Sequence, residues 1–245
     1  MQTTLAITTA ALLLTGGAQA QTQAQTQTQT FSFQQGLAGY NGQVDTQLSG
    51  ADPDAALGGQ FELSIDASDG GFPSQTLLRF DGLFGTGSGQ IAPDSVITSA
   101  TLTLTITSAG SGIRFHEMQQ AWNDSSTWNS FDAGVQDDGV EAAAAPLFTL
   151  GANDSGANIE EGTLVIDFTA ALQRAQAGLA PHGWALLPWL PEGTNGVDFY
   201  SAEWITAAER PLLTVQTTPV PEPASLLLAA LGTAAVLRAA RRRRA

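Results

Sequence analysis

The chain has 245 residues, with no cysteine, no lysine, nine arginines, 23 acidic residues and a net charge of −14. It can therefore form neither a disulfide framework nor a thiol nucleophile. Residues 21–219 hold four arginines against 22 acids, a net −18, and so lack the cationic surface that nucleic-acid phosphates require.

Residues 1–20 run from Met1 through an apolar stretch at residues 5–14 to Ala18-Gln19-Ala20. Small residues at Ala18 and Ala20 suit cleavage by signal peptidase, so the segment reads as a secretory signal, although no Lys or Arg precedes the apolar stretch. Residues 21–30 form a Gln/Thr repeat that is too polar and too uniform to build a core, and they read as a flexible spacer.

Residues 31–219 are one domain's worth of chain, long enough to bury a self-sufficient core. The clearest strand covers residues 97–107, where Ala100, Leu102, Leu104 and Ile106 alternate with Thr101, Thr103, Thr105 and Thr107. A period of two puts one face in the core and the other in water. Shorter β-like runs occur at 61–66, 76–80, 113–116, 147–150, 163–168, 183–188, 197–201 and 212–216, separated by turn-formers such as Asp69-Gly70-Gly71 and the segment 192–196. Many short strands with turns between them predict an all-β fold, a single β-sandwich or jelly roll. One short helix interrupts it, with Thr169 as cap, 170–177 as body and Gly178 as terminator.

Several of these stretches together resemble the DNRLRE-domain family, a jelly-roll group related to carbohydrate-binding modules. They are Gly39-Tyr40-Asn41-Gly42 with Asp45-Thr46, Leu77-Leu78-Arg79-Phe80-Asp81, Ser99-Ala100-Thr101-Leu102, Trp122 with Thr127-Trp128-Asn129, Asp167-Phe168-Thr169, Gly183-Trp184-Ala185, Ser201-Ala202-Glu203 and Arg210-Pro211-Leu212. The resemblance implies a β-sandwich, some members of which bind polysaccharide.

Residues 220–245 carry Val220-Pro221-Glu222-Pro223, an apolar run at 224–237, then Arg238 and the cluster Arg241, Arg242, Arg243 and Arg244. The run falls short of the ~20 residues that span a bilayer comfortably, but Ala239, Ala240 and a snorkelling Arg238 extend it. The basic cluster would stay on the cytoplasmic side. A hydrophobic helix here would hold the tail transiently in the inner membrane. The three-part order resembles the PEP-CTERM sorting signal of Gram-negative bacteria, which implies an exosortase-type processing enzyme, a surface or matrix destination and a link to exopolysaccharide and biofilm. A permanent C-terminal anchor is the alternative.

The chemistry of catalysis is sparse. His116, in a strand-like run, reads as packed or hydrogen-bonded, and His182, after Pro181, reads as a solvated loop residue. No Gly-x-Ser-x-Gly, His-Glu-x-x-His or phosphate-loop pattern occurs. The chain is expected to be non-catalytic. Trp122, Trp128 and Trp184 read as core; Trp189 and Trp204, in turns, are the candidates for stacking on a sugar. The oxygen-rich loops Asn153-Asp154-Ser155-Gly156 and Asn195-Gly196-Val197-Asp198 make Asp154 and Asp198 candidate calcium ligands, or simply solvated turns. The expectation is an exported surface or matrix protein that associates with polysaccharide. The alternatives are a structural surface protein with no defined ligand and a glycan-active enzyme.

Overall fold

The computed structural model describes residues 27–68, 71–152, 156–189 and 195–220. The strands form two antiparallel sheets. In the first, β1 (Gln29–Phe33), β11 (Leu212–Thr218), β5 (Val96–Ser108), β10 (Val197–Tyr200) and β3 (Glu62–Ile65) follow one another, and β8 (Gly162–Asp167) pairs with β5 along residues 101–106. In the second the order is β2 (Gln43–Ser49), β4 (Ser74–Phe80), β9 (Trp184–Pro188), β6 (Ile113–Glu117) and β7 (Phe148–Leu150). The expected all-β sandwich with one short helix is the observed architecture.

The interior follows from period-two patterning. On β5, Ala100, Leu102, Leu104 and Ile106 are buried, while their threonine neighbours form the outward face. They meet Leu78 and Phe80 of β4, Ile113 and Phe115 of β6, and Trp184 and Leu186 of β9. Phe115, Phe148, Phe168 and Trp184 form a chain of edge-to-face and stacked rings inside this layer, with the Phe168 and Trp184 centroids 4.6 Å apart.

The second sheet is covered on its other face too. Leu48, Leu77, Ala185 and Leu187 pack there against Met118, Trp122, Phe131, Val135 and Ala142, which belong to the long excursion between β6 and β7. Polar groups on the sheet hold this cover by its main chain. Gln75 exchanges two bonds with Val135, and Arg79 donates Nη1 to the Trp122 carbonyl at 2.9 Å with its guanidinium 4.8 Å from the Trp122 ring centre. Burial on both faces explains why β9 reads as an unbroken apolar run instead of alternating.

Helix α1 (Thr169–Gln176) rests on β5 and differs from expectation at its start. Thr169 does not cap it: its hydroxyl accepts from the Ala100 N–H at 2.9 Å, and Asp167 Oδ1 takes the Thr169 N–H at 3.0 Å instead. The end is as expected. Gly178 adopts φ +75°, and the pair of bonds from Gly178 to the Ala175 carbonyl and from Leu179 to the Arg174 carbonyl forms a Schellman motif, which needs a left-handed residue at that point. Two strands had no sequence signal. β1 starts inside the expected spacer, with Gln29 and Thr30 paired to Thr217 and Gln216, because the repeat's β-branched threonines suit an edge strand once β11 is alongside. β2 buries Gln43 and Asp45, polar residues that break the apolar alternation.

Candidate functional site

The strand pair β3 and β10 builds the candidate site by simple alternation. Leu63, Ile65, Val197 and Phe199 point into the core, which leaves Glu62, Ser64, Asp198 and Tyr200 outward, with Asp198 opposite Ser64 and Tyr200 opposite Glu62. Beside them a depression of about 420 Å³ is lined by Gln47, Gln60, Phe61, Glu62, Leu63, Ser64 and Asp198. Two of its side chains are fixed by neighbours: Gln47 Oε1 accepts from the Ser64 N–H at 3.1 Å, and the Thr107 hydroxyl donates to Glu62. Burial raises the pKa of Asp198, and the charges of Glu62 and Asp66 raise it further, against a lowering hydrogen bond from Ser64. The depression therefore presents hydrogen-bond acceptors on a negatively charged rim.

Past the end of β10 the chain turns over the sheet edge, tied by the Ser201 N–H to the Phe61 carbonyl at 3.1 Å and by the Ser201 hydroxyl to the Gln60 carbonyl at 2.6 Å. This places Trp204 flat on Tyr200, with ring centres 3.9 Å apart and planes 4° from parallel, and edge-on to Phe61 at 6.0 Å. Trp204 is held through both ring and backbone. Its indole Nε1 donates to Glu209 Oε2 at 2.7 Å, and its main-chain carbonyl accepts from Arg210 Nε at 2.6 Å. Phe61 and Ile205 remain exposed at 51% and 72%, so an apolar ledge borders the acidic depression.

The two tryptophans singled out from the sequence do not form one platform. Trp189 is half-buried and its main chain donates to the Gly112 carbonyl; a β-carbon at Gly112 would lie 2.3 Å from the Trp189 ring, so a glycine is what lets the ring sit there. Gly110 packs against Gly196, at the start of β10, whereas Trp204 lies past its end. Trp122 and Trp184 are buried and Trp128 is half-buried in the cover. Sequence reasoning missed Tyr200 and Phe61 as partners of Trp204; the signal available was an aromatic at one end of each run, Phe61 just before β3 and Tyr200 closing β10.

The histidines take quiet positions. His116 is fully buried, its Nδ1 faces the Ala143 carbonyl at 2.7 Å, and burial lowers its pKa, so it is a neutral ring with its proton on Nδ1. The His182 carbonyl accepts from Trp122 Nε1 at 2.6 Å. Asp137, ion-paired with Arg114, has its pKa lowered by that partner despite partial burial.

Among the described residues no three His, Cys, Asp or Glu side chains are grouped to hold a metal, and no helix is long and apolar enough to cross a membrane. Asp198 is placed as above; Asp154 lies outside the described residues, as do Ala18, Ala20, Pro221, Glu222, Pro223, Arg238, Arg241, Arg242, Arg243 and Arg244 and the expected tail helix. No curated protein matches the chain. Residues 219–244 match the PEP-CTERM protein-sorting motif, which marks the chain for export and for membrane-associated sorting by an exosortase-type enzyme.

Proposed function

We propose that the exported body is a non-catalytic module that associates with polysaccharide at the cell surface or in the extracellular matrix of a Gram-negative bacterium, where the sorting motif delivers it. The observation that carries this reading is the ledge of Phe61, Tyr200 and Trp204 against an acceptor-lined depression. Sugar rings are recognised by aromatic side chains for their apolar faces and by polar groups for their hydroxyls. A ledge already held by Glu209 and Arg210 loses little freedom when a ligand arrives.

The body's likeness to the DNRLRE-domain group supports the same reading, since some members of that group bind polysaccharide. With a net −18 over residues 21–219, the body would repel an acidic polymer. The ligand is then a neutral glycan bound by stacking, or an acidic one bridged through calcium.

A structural surface module with no defined ligand is the second reading, favoured by the covering of one Trp204 face by Tyr200. A glycan array probed with the exported protein and with its Phe61→Ala and Trp204→Ala variants separates the two. Binding lost in both variants, with melting temperature kept, supports the ledge. Absence of binding to every glycan favours the structural module, and release of reducing ends from any of them identifies an enzyme.

A further inference from the structure

Behind the ledge, a pair of carboxyls ties the turn that carries Trp204 to the other sheet. Asp45, on β2, is 2% exposed, and its Oδ2 accepts from Gln43 Nε2 and from the Ala202 N–H, both at 3.0 Å. The same carboxyl is hydrogen-bonded to that of Glu203, which follows Ala202 in the turn after β10 and immediately precedes Trp204. Asp45 Oδ1 and Glu203 Oε2 are buried and receive no donor from any other group.

Two ionised carboxylates cannot hydrogen-bond to each other, because each can only accept. Nor is there a cation to hold them together. Arg210 turns its Nε to the Trp204 carbonyl and its Nη1 to the Gln35 carbonyl, and Arg79 of the adjoining β4 pairs with Asp81 and reaches the Trp122 carbonyl. Glu209 takes the Trp204 indole N–H, and among the described residues no ion pair reaches Asp45 or Glu203. Burial first, and then the charge of Glu203, raise the pKa of Asp45 well above the usual carboxylate range.

We infer that Asp45 and Glu203 are positioning residues for Trp204: one proton, carried by Asp45 and donated to Glu203, latches the 201–204 turn to the second sheet, and loss of that proton at alkaline pH frees the ring. Asp45 Oδ2 already has two donors, so the proton belongs on Oδ1, and its donation to Glu203 gives both orphaned oxygens a partner. Once it leaves, two negative charges face each other in a poorly solvated place. Glu203, the less buried of the two, relieves the repulsion by swinging to water, which draws Ala202 from Asp45 and Trp204 from Tyr200. The folded chain keeps a proton that the unfolded chain releases. Each pH unit between the ordinary carboxylate range and the raised pKa of Asp45 therefore costs the folded state up to a factor of ten in its equilibrium with the unfolded one. That the latch also controls glycan binding rests on reading the ledge as the binding site.

The test uses the full chain in detergent and needs no glycan, so it stands apart from the trial of the ledge as a sugar site. Melting temperatures are compared between the parent and Glu203→Gln, whose amide can donate to the Asp45 carboxylate in the proton's place. On acidification from pH 7.5 to 5.5 the parent should gain up to roughly 3–5 °C per pH unit relative to the variant. Asp45→Asn should remove the same slope; if it fails to fold, Glu203→Gln decides alone. Parallel curves, displaced by a constant amount, would mean a merely structural contact and overturn the shared proton. Acrylamide quenching of the parent, less that of Trp204→Phe, reports on Trp204 itself. Its ring should be more accessible at pH 9 than at pH 6 in the parent and equally accessible at both in Glu203→Gln. No change in the parent would overturn the positioning of Trp204 by the pair.

Discussion

Leu104→Ala tests the register of the central strand, on which every other placement depends. Leu104 is fully buried in the middle of β5 and sits opposite Leu164 on β8. β5 is held on both edges, by β8 along residues 101–106 and by β11 and β10 along its two ends, so the backbone has little room to close over a deleted side chain. The truncation should therefore cost about 2–5 kcal/mol, towards the upper end where collapse is prevented. In a domain of this size that lowers the melting temperature by roughly 4–20 °C. Thr103→Ala removes a half-exposed side chain from the opposite face and should cost less than about 1 kcal/mol. Thermal and urea unfolding of the two variants gives the comparison. Equal losses would refute the facing of β5 and the sandwich built on it.

Trp122→Ala should destabilise by about 3–5 kcal/mol in the same assays, since the ring is 6% exposed and joins Arg79, His182 and the outer apolar cluster; a loss below about 1 kcal/mol would mean the cover is not packed in solution. His116 gives a pH dependence whose sign is fixed. Burial holds its folded pKa below the ordinary 6.5, so the unfolded chain binds the extra proton and stability is lost as pH falls below about 6.5. Because Asp198, whose pKa burial raises, gains stability over the same window, the His116 share is read as a difference: between pH 7.5 and 5 the melting temperature of His116→Gln should hold up better on acidification than that of the parent, and parallel curves would show that His116 does not contribute.

Much of the architecture is legible because local pattern and final environment agree. β5 has one wet face and one dry face, and its threonine and aliphatic alternation says so. α1 is announced by Gly178, whose left-handed conformation few other residues adopt cheaply. β2 is hidden because the groups it buries are polar and find their partners far along the chain: Asp45 meets the Ala202 N–H across 157 residues. Sequence distance hides part of the candidate site as well. Trp204 can be picked out as an aromatic in a turn, with Tyr200 four residues before it, but Phe61 and Glu62 join them only when β3 pairs with β10. Trp189 looks equivalent in sequence and is not, because Gly112 gives it a seat against the strand connections.

The sorting motif is what links this sandwich to the outside of the cell, and the mass of the C-terminus tests that link most directly. Protein recovered from the host's surface or matrix fraction should end near Pro221-Glu222-Pro223, having lost Arg241, Arg242, Arg243 and Arg244, because a proline-bounded extended segment is open to a processing enzyme. Mature protein whose mass still includes the four arginines would contradict exosortase-type processing and identify the tail as a permanent anchor.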